Sequence, residues 1–70
     1  MMQFTTTRPT GENFTPRSLI YGHAKANRIP FLSDWSGCGL IVKGRFYYYD
    51  HWRVETTDSQ QVITVYLLED

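Results

Sequence analysis

In Gly39 to Trp52, GLIVKGRFYYYDHW, two apolar runs, Leu40 to Val42 and Phe46 to Tyr49, flank a polar turn, and this pattern predicts two strands joined over Lys43-Gly44-Arg45. Gly44 can take the positive φ that tight hairpin turns require, and Leu40, Ile41 and Val42 suit the partner strand. Side chains alternate between the two faces of a strand. Counting from Arg45, one face carries Arg45, Tyr47, Tyr49, His51 and Arg53, and the other carries Phe46, Tyr48, Asp50, Trp52 and Val54. The second set reads as a core face interrupted by Asp50, the first as a polar and aromatic outer face. Asp50-His51 is also a place for a bulge or turn. A break there resets the alternation and moves Trp52 and Val54 to a separate strand.

Around this hairpin the chain predicts a β-α-β-β-β-β order. Met2 to Thr7 is rich in threonine and extended, ending at Arg8-Pro9 and a loop over residues 10–13. Thr15 is placed as an N-cap before Pro16, and Leu19, Ile20, His23 and Ala24 recur at helical spacing through Ala26. Asn27 is the expected C-terminal cap, and Pro30 stops the helix. Residues 29–39 read as irregular, with Phe31, Leu32 and Trp35 tucked under the sheet and breaks at Ser36 to Gly39. Trp52 to Thr57 alternates with Trp52, Val54 and Thr56 inward, and Asp58-Ser59-Gln60 forms a turn. Val62 to Leu68 is apolar on both faces, which places it centrally or under two covers.

The fold class read from this order is α+β: a small, mainly antiparallel sheet of four or five strands with one short helix packed on it. A small, partly open β-barrel is the alternative. Residues 1–70 make one small domain. At this length only about 60% of the unfolded surface is buried, so the core is thin. Cys38 is the single cysteine, which excludes an internal disulfide and fits a reducing compartment. Eleven Phe, Tyr and Trp residues make up 16% of the chain. That is more ring surface than so small an interior is expected to absorb.

Net charge is zero but uneven. Residues 1–33 hold Arg8, Arg17, Lys25 and Arg28 against Glu12, a net +3, while residues 34–70 hold Lys43, Arg45 and Arg53 against six acids, a net −3. The balance lacks the basic excess of most nucleic-acid binders. The N-terminal residues contain no apolar run long enough for a signal or a membrane span, so a cytoplasmic protein without membrane association is expected.

Chemistry is sparse. Cys38 between Gly37 and Gly39 could be presented as a nucleophile with His23 or His51 as base, but a lone cysteine is more often a small buried hydrophobe. His23, Cys38, Asp50 and His51 lack metal-ligand spacing. The reading is therefore non-enzymatic, with no cofactor and no metal. The residue types enriched at protein interfaces are Tyr, Trp and Arg. Arg45, Tyr47, Tyr49, His51, Trp52 and Arg53 are accordingly the expected contact residues for another protein, or for a second copy in a homodimer. A motif-free domain with an aromatic face fits a stoichiometric inhibitor or adaptor, similar in size and style to phage and mobile-element accessory proteins. The alternative is single-stranded nucleic acid stacked on Tyr47 and Tyr49, with Arg45, His51 and Arg53 at phosphates.

Overall fold

The computed structural model of the chain describes residues 1–35 and 37–70. Ser36, read above as the start of a break, lies outside them. The elements are β1 (Met2–Pro9), α1 (Pro16–Asn27), β2 (Phe31–Asp34), β3 (Gly37–Val42), β4 (Arg45–Thr56) and β5 (Gln60–Glu69). All neighbouring strands are antiparallel, in the spatial order β1-β5-β4-β3-β2. The α+β class and the element order follow the expectation. The sheet stays open, because β1 and β2 are edges that do not pair with each other, and the barrel alternative is not adopted.

The helix begins where the sequence places it. Thr15 has extended backbone angles and accepts a hydrogen bond from the Ser18 amide on Oγ1, at 3.1 Å. Ser18 Oγ accepts from the Thr15 amide in return, so two otherwise orphaned donors are satisfied. The C-terminal end differs from expectation. Arg28 is the cap, in the left-handed region at φ 56 and ψ 44, and its amide donates to the Ala24 carbonyl. Asn27 instead turns its side-chain amide back to the His23 carbonyl, at 2.9 Å. Leu19, Ile20 and Ala24 are buried against Phe4, Cys38, Leu40, Ile63, Val65 and Leu67, which together form the core. His23, on the same stripe, stacks on Phe4 with ring centroids 4.0 Å apart.

Two strand boundaries depart from the sequence reading, and their effects on the strand count cancel. Residues 31–34 are a strand, β2, where an irregular segment was expected. Its short run pairs with β3 in regular register from Phe31↔Leu40 to Asp34↔Gly37. Of the three residues expected beneath the sheet, Phe31 is half-buried against Tyr21. Leu32 is exposed, and Trp35 stands 98% exposed in the turn that follows. Conversely, β4 is one continuous strand of 12 residues, where two were expected. Its pairing with β5 shifts between Tyr49 and His51, which leaves Asp50 as an extra residue. Such a bulge keeps the strand continuous while reversing the alternation beyond it.

The turn between β3 and β4 is the tight one expected, with Lys43 at φ 53 and Gly44 at φ 78. Gly39 has a different role. A Cβ there would meet the Tyr47 carbonyl oxygen, and would lie 2.8 Å from the Phe46 ring and 2.9 Å from the Tyr48 Cα. Only a residue with no side chain lets Phe46 fold across β3 at this point.

Two stability outcomes follow, read by thermal denaturation of purified variants. Gly39→Ala destabilises by about 1–3 kcal/mol through overpacking, and each kcal/mol lowers the midpoint by roughly 4–8 °C in a domain of this size. Ile20→Ala costs about 2–5 kcal/mol, because a fully buried side chain leaves a cavity between helix and sheet.

Candidate functional site

The register assigns every strand side chain to one of two faces. The helix side carries Met2 and Phe4 from β1, Ile63, Val65 and Leu67 from β5, Tyr47, Tyr49, Trp52 and Val54 from β4, and Cys38 and Leu40 from β3. No helix or loop packs on the opposite face among the described residues. There one row crosses four strands as Leu32, Gly39, Tyr48 and Leu68, flanked by Phe46 and Ile41. The next rows are His51 with Tyr66 and Gln3, then Arg53 with Thr64 and Thr5, then Glu55 with Val62 and Thr7.

This corrects the contact face expected from simple alternation. Arg45, Tyr47, Tyr49, His51 and Arg53 do not share a face, because the Asp50 bulge puts the first three on the helix side and the last two on the open side. Phe46 and Tyr48, expected in the core, are instead on the open face. Tyr47 and Arg45 are also occupied within the chain. Glu69 accepts from Arg45 Nη1 at 2.8 Å and from the Tyr47 hydroxyl at 3.3 Å. Trp52 is half-buried and meets Phe14 edge-on at 4.8 Å. Tyr49 is half-buried, and its hydroxyl is held above its ordinary pKa by burial first, then by the nearby Asp50 and Cys38.

The open face is aromatic and polar by turns. His51 stacks flat on Tyr66 at 4.5 Å, with the planes 8° apart, while its Nδ1 lies 2.6 Å from Asp50 Oδ2. Phe46 and Tyr48 lie 6.3 Å apart. Tyr48 is 37% exposed. A shallow depression of about 290 Å³ runs over Arg53, Glu55, Val62, Thr64, Tyr66 and Thr5.

A second concavity opens where strand pairing fails. Pairing between β3 and β4 stops at Gly39↔Tyr48, whereas β2 and β3 remain paired as far as Asp34↔Gly37. The tip of the β2–β3 hairpin therefore extends beyond the last β4 contact, and a groove of about 730 Å³ lies between them. Its apolar lining includes Leu32, Cys38, Phe46, Tyr48 and Tyr49, and the helix start closes its end with Arg17. Arg17 Nη2 donates to the Asp34 carbonyl at 3.3 Å, bracing helix against hairpin. Asp34 Oδ1 accepts the Gly37 amide across the turn at 3.1 Å.

No family model matches this chain, and neither does any curated protein or solved structure. Function is therefore argued from the two surfaces alone.

Of the groups weighed for catalysis, Cys38 lies on the helix side of the sheet and His51 on the open side, while His23 stacks on Phe4. Burial raises the Cys38 thiol despite the opposing Arg17 charge. A thiol held protonated is a poor nucleophile at neutral pH. Among the described residues no group of three His, Cys, Asp or Glu side chains could hold a metal ion. No helix among them is long and apolar enough to cross a membrane. Sequence reasoning missed Leu32, Trp35 and Tyr48 as surface residues. For Trp35 the available signal was turn chemistry at Asp34 and Gly37; Leu32 is exposed because it faces the open side opposite Gly39, which only the pairing of β2 reveals.

Tyrosine substitutions separate the two faces. Tyr48→Ser leaves the denaturation midpoint nearly unchanged, whereas Tyr49→Ser lowers stability by about 1–2 kcal/mol through lost burial against the helix side. Equal loss in both variants would contradict this assignment. Burial lowers the His23 pKa from 6.5. The unfolded chain thus takes up a proton more readily than the folded one as pH falls below 6.5, and stability decreases. In chemical denaturation, His23→Gln shows a smaller stability loss between pH 7 and pH 5 than the parent chain.

Proposed function

We propose that this chain is a non-enzymatic protein-binding module that acts by occupying a surface, as a stoichiometric inhibitor or adaptor does. The observation that carries this reading is the uncovered face of a complete five-stranded sheet bearing Phe46, Tyr48, Tyr66, His51 and Arg53. A single helix of 12 residues covers only the other side. Apolar and aromatic surface left in water by a small monomer marks an interaction site, and Tyr and Arg dominate interface hot spots. The open face combines an apolar row at Tyr48 with polar rows at Arg53 and Glu55, the core-and-rim arrangement of protein interfaces.

The contact residues of this reading are Tyr48, His51, Tyr66 and Arg53. His51 and Arg53 are retained from the sequence reading, while Tyr47, Tyr49 and Trp52 act from behind by holding β4 against the helix side. The test is recovery of partners on immobilised protein, comparing the parent chain with Tyr48→Ser and Arg53→Ala variants of unchanged stability. A specific partner is retained at least about tenfold less well by these variants. Equal retention by all three overturns the assignment of the open face.

One observation favours a second reading. Tyr48, the His51–Tyr66 stack and Arg53 lie on one open sheet face, as single-stranded nucleic acid binding requires. Glu55 and Asp50 beside them repel phosphate, which ranks this reading second. Labelled single-stranded DNA or RNA would bind at low salt, with affinity falling steeply as salt rises. No binding at low salt removes it.

A further inference from the structure

We infer that the chain pairs with a second copy of itself by reciprocal insertion of Trp35 into the groove between the β2–β3 hairpin tip and β4. This rests on the protein-binding reading and names one partner for the surface where the groove and open face meet.

Trp35 is the most anomalous side chain among the described residues. It is 98% exposed, so essentially the whole indole is in water, with no packing partner among the described residues. Trp is the residue most favoured as an interface anchor, since it adds a large rigid area with little rotamer entropy. Beside it lies a groove suited to an indole. Leu32, Cys38, Phe46, Tyr48 and Tyr49 offer apolar and aromatic walls, and Arg17 on the rim places a guanidinium where it can lie on a ring face. The groove volume of about 730 Å³ is that of a ligand-sized site.

Anchor and groove belong to the same short stretch of chain. Asp34 and Gly37, on either side of the turn that carries Trp35, both line the groove. In an isologous two-fold contact each copy meets the same patch on the other. A two-fold axis beside this turn therefore brings each Trp35 to the partner's groove at once. Charge does not oppose the approach. The charged residues lining the groove are Arg17 and Asp34, one of each sign, in a chain of zero net charge.

Area sets the strength. Each ring buries about 150–250 Å², so two rings and the groove walls they cover amount to roughly 600–1,000 Å². Stable interfaces need about 1,200 Å² or more. The dimer is therefore expected to be weak and transient, with a dissociation constant below roughly 1 mM.

Sedimentation over a concentration series tests this. The parent chain passes from monomer to dimer as concentration rises, and Trp35→Ser raises the dissociation constant by at least about tenfold. Because Trp35 is fully exposed, the variant keeps the parent's denaturation midpoint. Tryptophan emission gives a second readout: it shifts to shorter wavelength as the parent dimer forms and is independent of concentration in Trp35→Ser. A parent chain that remains monomeric to roughly 1 mM, or a dimer that persists unchanged in Trp35→Ser, overturns the exchange. Neither result bears on partner retention by Arg53→Ala, which lies outside the groove and tests the open face separately.

Discussion

Opposite β5, the backbone of β4 accommodates one residue more than its partner, and that residue is Asp50. Tyr49 pairs with Leu67 and His51 pairs with the adjacent Tyr66, so the strand crosses its pleat between them. Everything distinctive about the two surfaces depends on this shift. Without it, Tyr47 and Tyr49 would share a face with His51 and Arg53, and Trp52 would point away from the helix side. With it, Tyr47, Tyr49, Trp52 and Val54 line up with Ile63, Val65 and Leu67, while Phe46 and Tyr48 line up with His51 and Arg53. Asp50 suits the place, since aspartate is a poor strand residue and here its carboxylate engages the neighbouring His51 imidazole at 2.6 Å.

The second constraint is the ratio of helix to sheet. One three-turn helix buries its Leu19, Ile20 and Ala24 stripe against one face of five strands and has nothing left for the other. The open face is consequently a compromise. Its apolar rows are half-buried by neighbours within the sheet, and its threonines, Gln3 and Arg53 keep the rest wetted. The groove has a related origin. The β2–β3 hairpin outruns its pairing with β4, and Gly39 lets Phe46 lie across the last paired position. The concavity is thus a consequence of where pairing ends.

Much of the architecture was legible in the chain. Thr15-Pro16 at the helix start, the Leu19-Ile20-Ala24 stripe, the Lys43-Gly44 turn and the doubly apolar run of β5 are local signals, and each depends on neighbours within a few residues. β2 was hidden because Pro30, Asp34 and Gly37 surround a run of only four residues. A strand that short is made by its partner more than by its own propensity. The cap at Arg28 was hidden because Asn27 has the better intrinsic preference, whereas in the fold Asn27 turns its side chain back to the His23 carbonyl and Arg28 takes the left-handed position.

The candidate surface was less legible, for one physical reason. Period-two alternation carries face information only while the count is unbroken, and a single bulge inverts every assignment after it. The run from Phe46 to Tyr49 showed that rings would be plentiful and that an interior this small would leave some outside. It could not show which ones, because that is set by whether Tyr49 faces Leu67 and His51 faces Tyr66. Composition and local periodicity by themselves determined a small α+β sheet with one N-capped helix and many rings, and left the choice between open sheet and barrel to the strand order. Tertiary structure alone decided that Tyr21, Trp35 and Tyr48 are the exposed rings while Tyr66 is half-covered by His51, since exposure depends on what lies opposite a residue in space.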